Sequence, residues 1–278
     1  MQEKNVKKLV RDGYARIATQ NSSCCGPVSS CCGGGTTAKS ISKNIGYTDQ
    51  DMDAVPEGAN LGLGCGNPVA LASLKKGETV MDLGSGAGFD CFLAAKRVGK
   101  SGHIIGVDMT PEMIDKARDN ARKGKYTNVE FRLGEIENLP AADNSVDAII
   151  SNCVINLAPD KKRIFKEAFR VLKPGGRLMV SDLVILKPLP KSIRESVTAY
   201  IGCLSGAILK KEYINAIKLA GFNQVAIIDE TNYPIELMAN DTTAQAIIKD
   251  FKVPKKDIQN IANSVVSIKI LGNKPKRS

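Results

Sequence analysis

The sequence predicts an α/β protein: a mostly parallel β-sheet covered by helices on both faces. Three observations predict it. Strand-like and helical stretches alternate regularly between about residues 77 and 183. The strands are mostly apolar, as a sheet buried on both faces requires. The first strand runs into a glycine-rich turn, Met81-Asp82-Leu83-Gly84-Ser85-Gly86-Ala87-Gly88, which opens directly onto a helix.

In chain order, residues 1–20 suit a charged amphipathic helix with Val6, Leu9, Val10 and Ile17 loosely on one face. Residues 21–40 are mostly Ser, Cys, Gly and Thr with no apolar period, and are expected to form a flexible loop. Residues 41–75 are expected to be irregular, with short helices, a turn at Gly62-Leu63-Gly64-Cys65-Gly66-Asn67-Pro68, and a helix from Val69 to Leu74. Strands follow at 79–83, 103–108, 129–133, 146–151 and 177–183, and helices at 89–98, 111–123, 159–172 and 191–200. Thr110-Pro111 is a helix start, with Thr as the cap and Pro in the first turn. Leu172-Lys173-Pro174-Gly175-Gly176 is a stop before the fifth strand. A helix from Lys211 to Ala220 and strands at 225–229 and 265–271 finish the sheet, with room for an antiparallel edge. Residues 231–260 read as an insertion. Three segments result: a Cys-rich N-terminal segment (1–67), a cofactor-binding domain (68–185) and a substrate-binding, sheet-completing region (186–278).

The 278 residues allow one large α/β domain with an appendage, or two modest domains. No window approaches the ~18 apolar residues of a transmembrane helix. The opening residues Met1 to Lys8 carry no apolar signal region, so a cytoplasmic protein is expected, with no membrane partner. The net charge of +10 is scattered over helix ends and loops rather than gathered in one stripe. With no Trp and 5% aromatic residues, base-stacking platforms are scarce, so the charge reads as a basic solvated surface and no nucleic-acid partner is expected. Eight cysteines (Cys24, Cys25, Cys31, Cys32, Cys65, Cys91, Cys153 and Cys203) in such a chain are thiols, metal or metalloid ligands, or redox partners rather than a disulfide framework.

The glycine turn brings bare backbone N–H groups close to a ligand. One βα unit on, Gly106-Val107-Asp108-Met109 closes a second strand with a carboxylate suited to ribose hydroxyls. Together they indicate a nucleoside cofactor. The glycines run G-x-G-x-G rather than the dinucleotide G-x-G-x-x-G, and Asp82 stands just before them. That carboxylate would repel a pyrophosphate and welcome an ammonium, which favours S-adenosylmethionine over NAD. Over residues 77–183 the chain resembles the class I methyltransferases, whose sheet is Rossmann-like. Glu135-Ile136-Glu137-Asn138-Leu139-Pro140 resembles their adenine loop, and Phe169 to Gly176 the element before their fifth strand. The resemblance implies that Asp82, Gly84, Ser85, Gly86 and Asn152 line the cofactor and that Asp108 takes the ribose. Met109 would pack on adenine, with Ile136 and Glu137 meeting the base; Glu135 is the alternative acceptor.

The stretch Ser151-Asn152-Cys153-Val154-Ile155-Asn156-Leu157 is not the Asn-Pro-Pro-aromatic motif of enzymes that methylate base amines. The single histidine, His103, opens a strand and reads as structural, so no general base for O-methylation is evident. Cysteine stands in its place. Cys153 closes the fourth strand, at the sheet edge where ligands bind. Cys65 lies in a glycine-rich turn, and Cys203 sits among small residues in Gly202-Cys203-Leu204-Ser205-Gly206-Ala207. Three thiolates suit a soft, three-coordinate centre such as trivalent arsenic. Cys91, early in the helix after the glycine turn, reads as a buried small residue.

These stretches, with Gly64-Cys65-Gly66-Asn67-Pro68 and Gly88-Phe89-Asp90-Cys91, resemble the arsenite methyltransferase family over most of residues 40–230. The resemblance implies arsenic on Cys65, Cys153 and Cys203, supplied as arsenite or a thiol conjugate. It also implies an N-terminal cysteine exchanging disulfides with Cys65, here taken as Cys32, and glutathione or thioredoxin as reductant. Because the sulfonium loses its charge in the transition state, no polar stabilising pocket is expected. A quinone-biosynthesis type of C- or O-methyltransferase, and a thiol-based metalloid-binding protein, are the alternatives.

Overall fold

The computed structural model describes residues 3–19, 34–189, 206–232 and 264–276. Helices α1 (Glu3–Thr19), α2 (Gly34–Asn44), α3 (Asp49–Asp53) and α4 (Pro68–Leu71) precede the sheet. Then come β1 (Thr79–Leu83), α5 (Phe89–Val98), β2 (His103–Asp108), α6 (Pro111–Lys123), β3 (Val129–Leu133) and β4 (Val146–Asn152). A short 3-10 turn (Ile155–Leu157), α7 (Lys161–Val171), β5 (Leu172–Ile185), α8 (Lys210–Leu219), β6 (Asn223–Asn232) and β7 (Val265–Asn273) complete the described chain. The expected helix at 191–200 and most of the insertion at 231–260 lie outside the described residues.

Among the described residues, seven strands form one sheet in the order β3-β2-β1-β4-β5-β7-β6. The first five run parallel, and β7 lies antiparallel between β5 and β6. This is the expected α/β class, with the antiparallel edge that the spacing allowed. The strand order reverses between β1 and β4, and in an open sheet ligands bind outside the carboxyl ends at that point.

Successive side chains of a strand point to opposite faces, so the apolar strands fill two cores at once. Met81, Leu83 and Ile149 pack with Ile164 and Phe165 of α7 on one face. Val80, Ala148 and Ile150 pack with Phe92 of α5 and Ile114 of α6 on the other. A third cluster joins Val6 and Val10 of α1 to Cys65, Leu183 and Val265. Val6 and Val10 of the expected amphipathic face are thus used against the carboxyl edge of the sheet, while Leu9 is exposed. No helix among the described residues is long and apolar enough to cross a membrane.

Four local expectations are corrected. Residues 34–40, expected in a loop, begin α2: Ile41 and Ile45 pack into the second core, and that burial outweighs the weak helix propensity of Gly34-Gly35-Thr36-Thr37. The helix expected from Val69 to Leu74 ends at Leu71, and Ser73 takes a positive φ of 47°. Thr110 occupies the cap of α6 but makes no capping bond; its hydroxyl bonds Asp108 instead. The expected stop at Lys173 to Gly176 lies inside β5. Leu172 already pairs with Val146, and the register shifts before Ala148 pairs with Arg177, so the segment forms an irregularity within the strand.

Candidate functional site

The turn after β1 is built to expose backbone. Gly84, Gly86 and Gly88 all take positive φ, at 72°, 51° and 94°. The N–H groups of Gly84 and Ser85 donate to Val107 O at 2.8 and 3.0 Å, tying the turn to the end of β2. A Cβ on Gly84 would overlap the Val154 side chain, so here glycine is required by crowding as well as by φ. Asp108 accepts from Gly86 N at 3.0 Å and Thr110 N at 2.8 Å, which fixes its carboxylate beside the turn. Burial raises its pKa against those bonds.

Two groups in this turn fit a cationic, polar ligand. Ser85 Oγ is buried and has no hydrogen-bond partner among the described residues. Asp82 is 3% exposed and accepts from the Cys91 thiol at 3.3 Å. Burial, with Asp90 adding repulsion, pushes the Asp82 pKa well above the carboxylate range. A buried carboxylate in that state gains most from a nearby positive charge, as the ammonium of S-adenosylmethionine would supply. Cys91 is fully buried, as expected, and its contact with Asp82 was not foreseen.

At the adenine-loop segment, Ile136 and Glu137 are buried. Lys7 of α1 reaches Glu135 at 2.8 Å and Glu137 at 3.0 Å. Burial lowers the Lys7 pKa, but the two carboxylates outweigh it and the net shift is upward. Met109, after β2, packs against the third cluster. His103 pairs with Glu130 at 3.3 Å at the start of β2, the end of the strand remote from the glycine turn.

The thiols gather at the carboxyl end of β4. Cys153 follows the strand with φ 58°, a left-handed conformation that costs a non-glycine residue roughly 1 kcal/mol, and its N–H donates to Ser181 O at 2.8 Å. Cys65 is 4% exposed. Its N–H donates to Asn152 Oδ1 at 3.0 Å, and its carbonyl accepts from Ser267 Oγ at 2.7 Å. Asn152 Nδ2 points at Gly66 O (2.8 Å), Tyr47 Oη (3.0 Å) and Asp90 Oδ2 (3.2 Å). A Cβ on Gly66 would overlap Ser181 Oγ, so the turn can lie against β5 only because that residue is glycine. Asn152, expected to line the cofactor, is thus the clamp of the Cys65 turn, and through Asp90 it reaches the acidic floor beneath the glycine loop.

The sulfurs of Cys65 and Cys153 and a carboxylate oxygen of Asp182 all lie within 4.8 Å of one another. Asp182 accepts from Tyr213 Oη, Asn156 Nδ2 and Leu183 N, each at 2.9 Å. It is fully buried, and burial raises its pKa to about 7 despite those bonds and the attraction of Lys161. Asp182, Tyr213 and Asn156 were not singled out from the sequence. The available signal was a charged residue inside an apolar strand, Ser181-Asp182 between Val180 and Leu183. Cys203 and Cys32, with Cys24, Cys25 and Cys31, lie outside the described residues. Ala207, shortly after Cys203, is buried in the cluster that holds Cys65.

A parallel sheet closed by an antiparallel strand, a glycine turn after β1 and an acid ending β2 define an S-adenosylmethionine-dependent class I methyltransferase. Residues 74–221 match the family model described as a methyltransferase domain. The chain is 52% identical over 228 residues to an arsenite methyltransferase of Halobacterium salinarum, covering 80% of this chain and 58% of that one. It is 37% identical over 196 residues to the human arsenite methyltransferase, covering 67% and 51%. The crystal structure of an arsenic(III) S-adenosylmethionine methyltransferase from Chlamydomonas reinhardtii matches with a TM-score of 0.61 and 30% identity, over 86% of this chain and 73% of that one. The chain belongs to the arsenite methyltransferase family. Its matches span 50 to 61% of the length of the arsenite methyltransferases it resembles.

Proposed function

We propose that this protein methylates trivalent arsenic held by Cys65, Cys153 and Cys203, with S-adenosylmethionine as methyl donor. The observation that carries the reading is the convergence of two thiols from distant parts of the chain, within 4.8 Å, at the carboxyl edge beside the glycine turn. Buried thiols usually serve packing. Here one sits on a strained φ and the other on a turn clamped by β4 and β7, which is more construction than packing needs. Cys203 supplies the third thiolate, a role supported by the burial of Ala207 beside Cys65.

S-adenosylmethionine supplies an electrophilic methyl on a sulfonium. Asp82 takes its ammonium, Ser85 and the backbone of Gly84 and Gly86 cradle the amino-acid end, and Asp108 takes the ribose. Met109, Ile136 and Glu137 surround the adenine. Cys65 and Cys153 exchange onto arsenite, each thiol proton leaving with a displaced hydroxide as water. Positioning is then the main contribution. Cys32 is the redox partner of Cys65, and glutathione or thioredoxin restores the thiols. In this division, residues 68–185 bind the cofactor while 1–67 and 186–278 complete the substrate side; the cluster of Val10, Cys65, Leu183 and Val265 supports it.

The test is incubation with arsenite, S-adenosylmethionine and a thiol reductant, with arsenic species separated by chromatography and elemental detection. Methylated arsenic is expected, and its loss in Cys153→Ser and Cys203→Ser. No methylated arsenic, with cofactor binding verified by calorimetry, overturns the reading and points to an organic substrate.

A further inference from the structure

We propose that Asp182 stabilises the positive charge that arrives on arsenic as the methyl group is transferred. The inference rests on the arsenic site proposed above. Trivalent arsenic bound to thiolates is neutral. Its lone pair forms the As–C bond while the C–S bond of the sulfonium breaks, the electrons of that bond staying on sulfur as a thioether. Arsenic is oxidised from trivalent to pentavalent, and the cationic charge moves from sulfur to arsenic. The expectation that no polar stabilising pocket is needed considers only the sulfur end of this transfer. At the arsenic end a cation appears where none was.

Asp182 is placed for that end. One of its oxygens lies within 4.8 Å of both thiol sulfurs, so an atom bridging those sulfurs sits close to the carboxylate. Asn156 and the Leu183 N–H hold Oδ1, while Tyr213 holds Oδ2. Asn156 is itself tethered to Leu183 O at 2.6 Å, and Tyr213 and Asn156 are fully buried. The charge is therefore oriented before reaction and needs no reorganisation when the cation forms, the arrangement in which electrostatic stabilisation is most effective. The titratable groups facing it are Tyr213 of α8, Lys161 of α7, and the two thiols, which arsenic consumes. A carboxylate roughly 5 Å from a developing unit charge, at an effective dielectric near 20, changes a rate by about a hundredfold.

The test preloads the 278-residue chain with one equivalent of arsenite and mixes it with S-adenosylmethionine in single turnover. In Asp182→Asn, arsenic loading measured by equilibrium dialysis should change less than about threefold, because the bound species is neutral. Affinity for S-adenosylhomocysteine should be unchanged, and the transfer rate should fall about a hundredfold. Transfer at the parent rate overturns the inference. Loss of loading in step with rate also overturns it, since Asp182 would then be a ligand. Tyr213→Phe provides an independent arm if the Asn chain does not fold. It removes the hydrogen bond that holds Oδ2 and keeps the charge, so at unchanged arsenic loading the transfer rate should fall roughly fivefold; transfer at the parent rate overturns the inference. A parent protein that loads arsenite and transfers no methyl defeats the functional reading itself. A parent that transfers, with an equally fast Asn variant, defeats only the role of Asp182.

Discussion

Asn152→Ala tests whether one side chain holds the Cys65 turn in place. Asn152 accepts from Cys65 N at 3.0 Å and points its amide at Gly66 O, Tyr47 Oη and Asp90 Oδ2 at 2.8 to 3.2 Å. Alanine leaves the Cys65 N–H and the Gly66 carbonyl, both on buried residues, without this partner. Each buried backbone group so orphaned costs about 1–3 kcal/mol, and water entering the vacated volume returns part of it, so a net loss of about 3 kcal/mol is expected. For a domain of this size that lowers Tm by roughly 6–12 °C. The same loss makes opening of the turn easier. Alkylation of Cys65, followed by peptide mass spectrometry so that the cysteines are read separately, should accelerate roughly a hundredfold. A variant whose Cys65 labels at the parent rate and whose Tm moves by less than about 2 °C refutes the reasoning, because the turn would then be held by its other contacts alone.

Gly84→Ala forces a side chain onto a φ of 72° and into Val154; calorimetry should show S-adenosylhomocysteine bound at least about tenfold more weakly, and parent affinity would remove the turn from the cofactor site. Val10→Ala removes two methyl groups from a residue that is 1% exposed, at a cost of about 2 kcal/mol, and should loosen α1 so that trypsin cuts faster after Lys7, Lys8 and Arg11. Burial raises the pKa of Asp90 to about 6, against the bonds from Tyr47 and Asn152 and with added repulsion from Asp51. The folded protein therefore holds a proton that the unfolded chain, with a carboxyl near pKa ~3.9, has released. The resulting stability is full below about pH 4 and lost as pH rises through about 6, so Asp90→Asn should flatten the dependence of Tm on pH across that window.

Much of the sheet was legible because β1 and β2 are apolar runs ended by glycine or aspartate, while β3 alternates apolar and charged residues. The strands at 79–83, 103–108 and 129–133 and the helices at 89–98 and 111–123 lie where their residues indicate. The start of α2 was not legible: Gly34 to Thr37 carry no helical signal, and the support comes from tertiary contacts such as those of Ile41 and Ile45 with the second core. The irregularity in β5 was hidden for a similar reason, since Pro174-Gly175-Gly176 reads as a terminator until pairing with β4 is known on both sides of it. At the site, Cys65 and Cys153 were singled out by their chemistry, and the structure brings them together. Asp182 was passed over because a single carboxylate in a strand has no local pattern. Its importance comes from the thiols beside it, and that proximity is a product of the sheet.

The direction of β7 explains how the Cys65 turn can be held at all. A strand joining β5 in parallel would bring its last residues to the carboxyl edge. Because β7 runs antiparallel, it brings its first ones: Ser267 pairs with Leu183 and Ile268 with Asp182. Ser267 Oγ then reaches Cys65 O, while Asn152 at the end of β4 holds Cys65 N. The two polar backbone groups of Cys65 are thus satisfied from strands on either side of β5, and Asp182 lies on β5 between them. A turn more than 80 residues before Cys153 is thereby held to the sheet as firmly as a strand end. The reversal of β7, which looks like an incidental feature of the sheet edge, is what lets Ser267, near the start of that strand, take part in positioning a thiol.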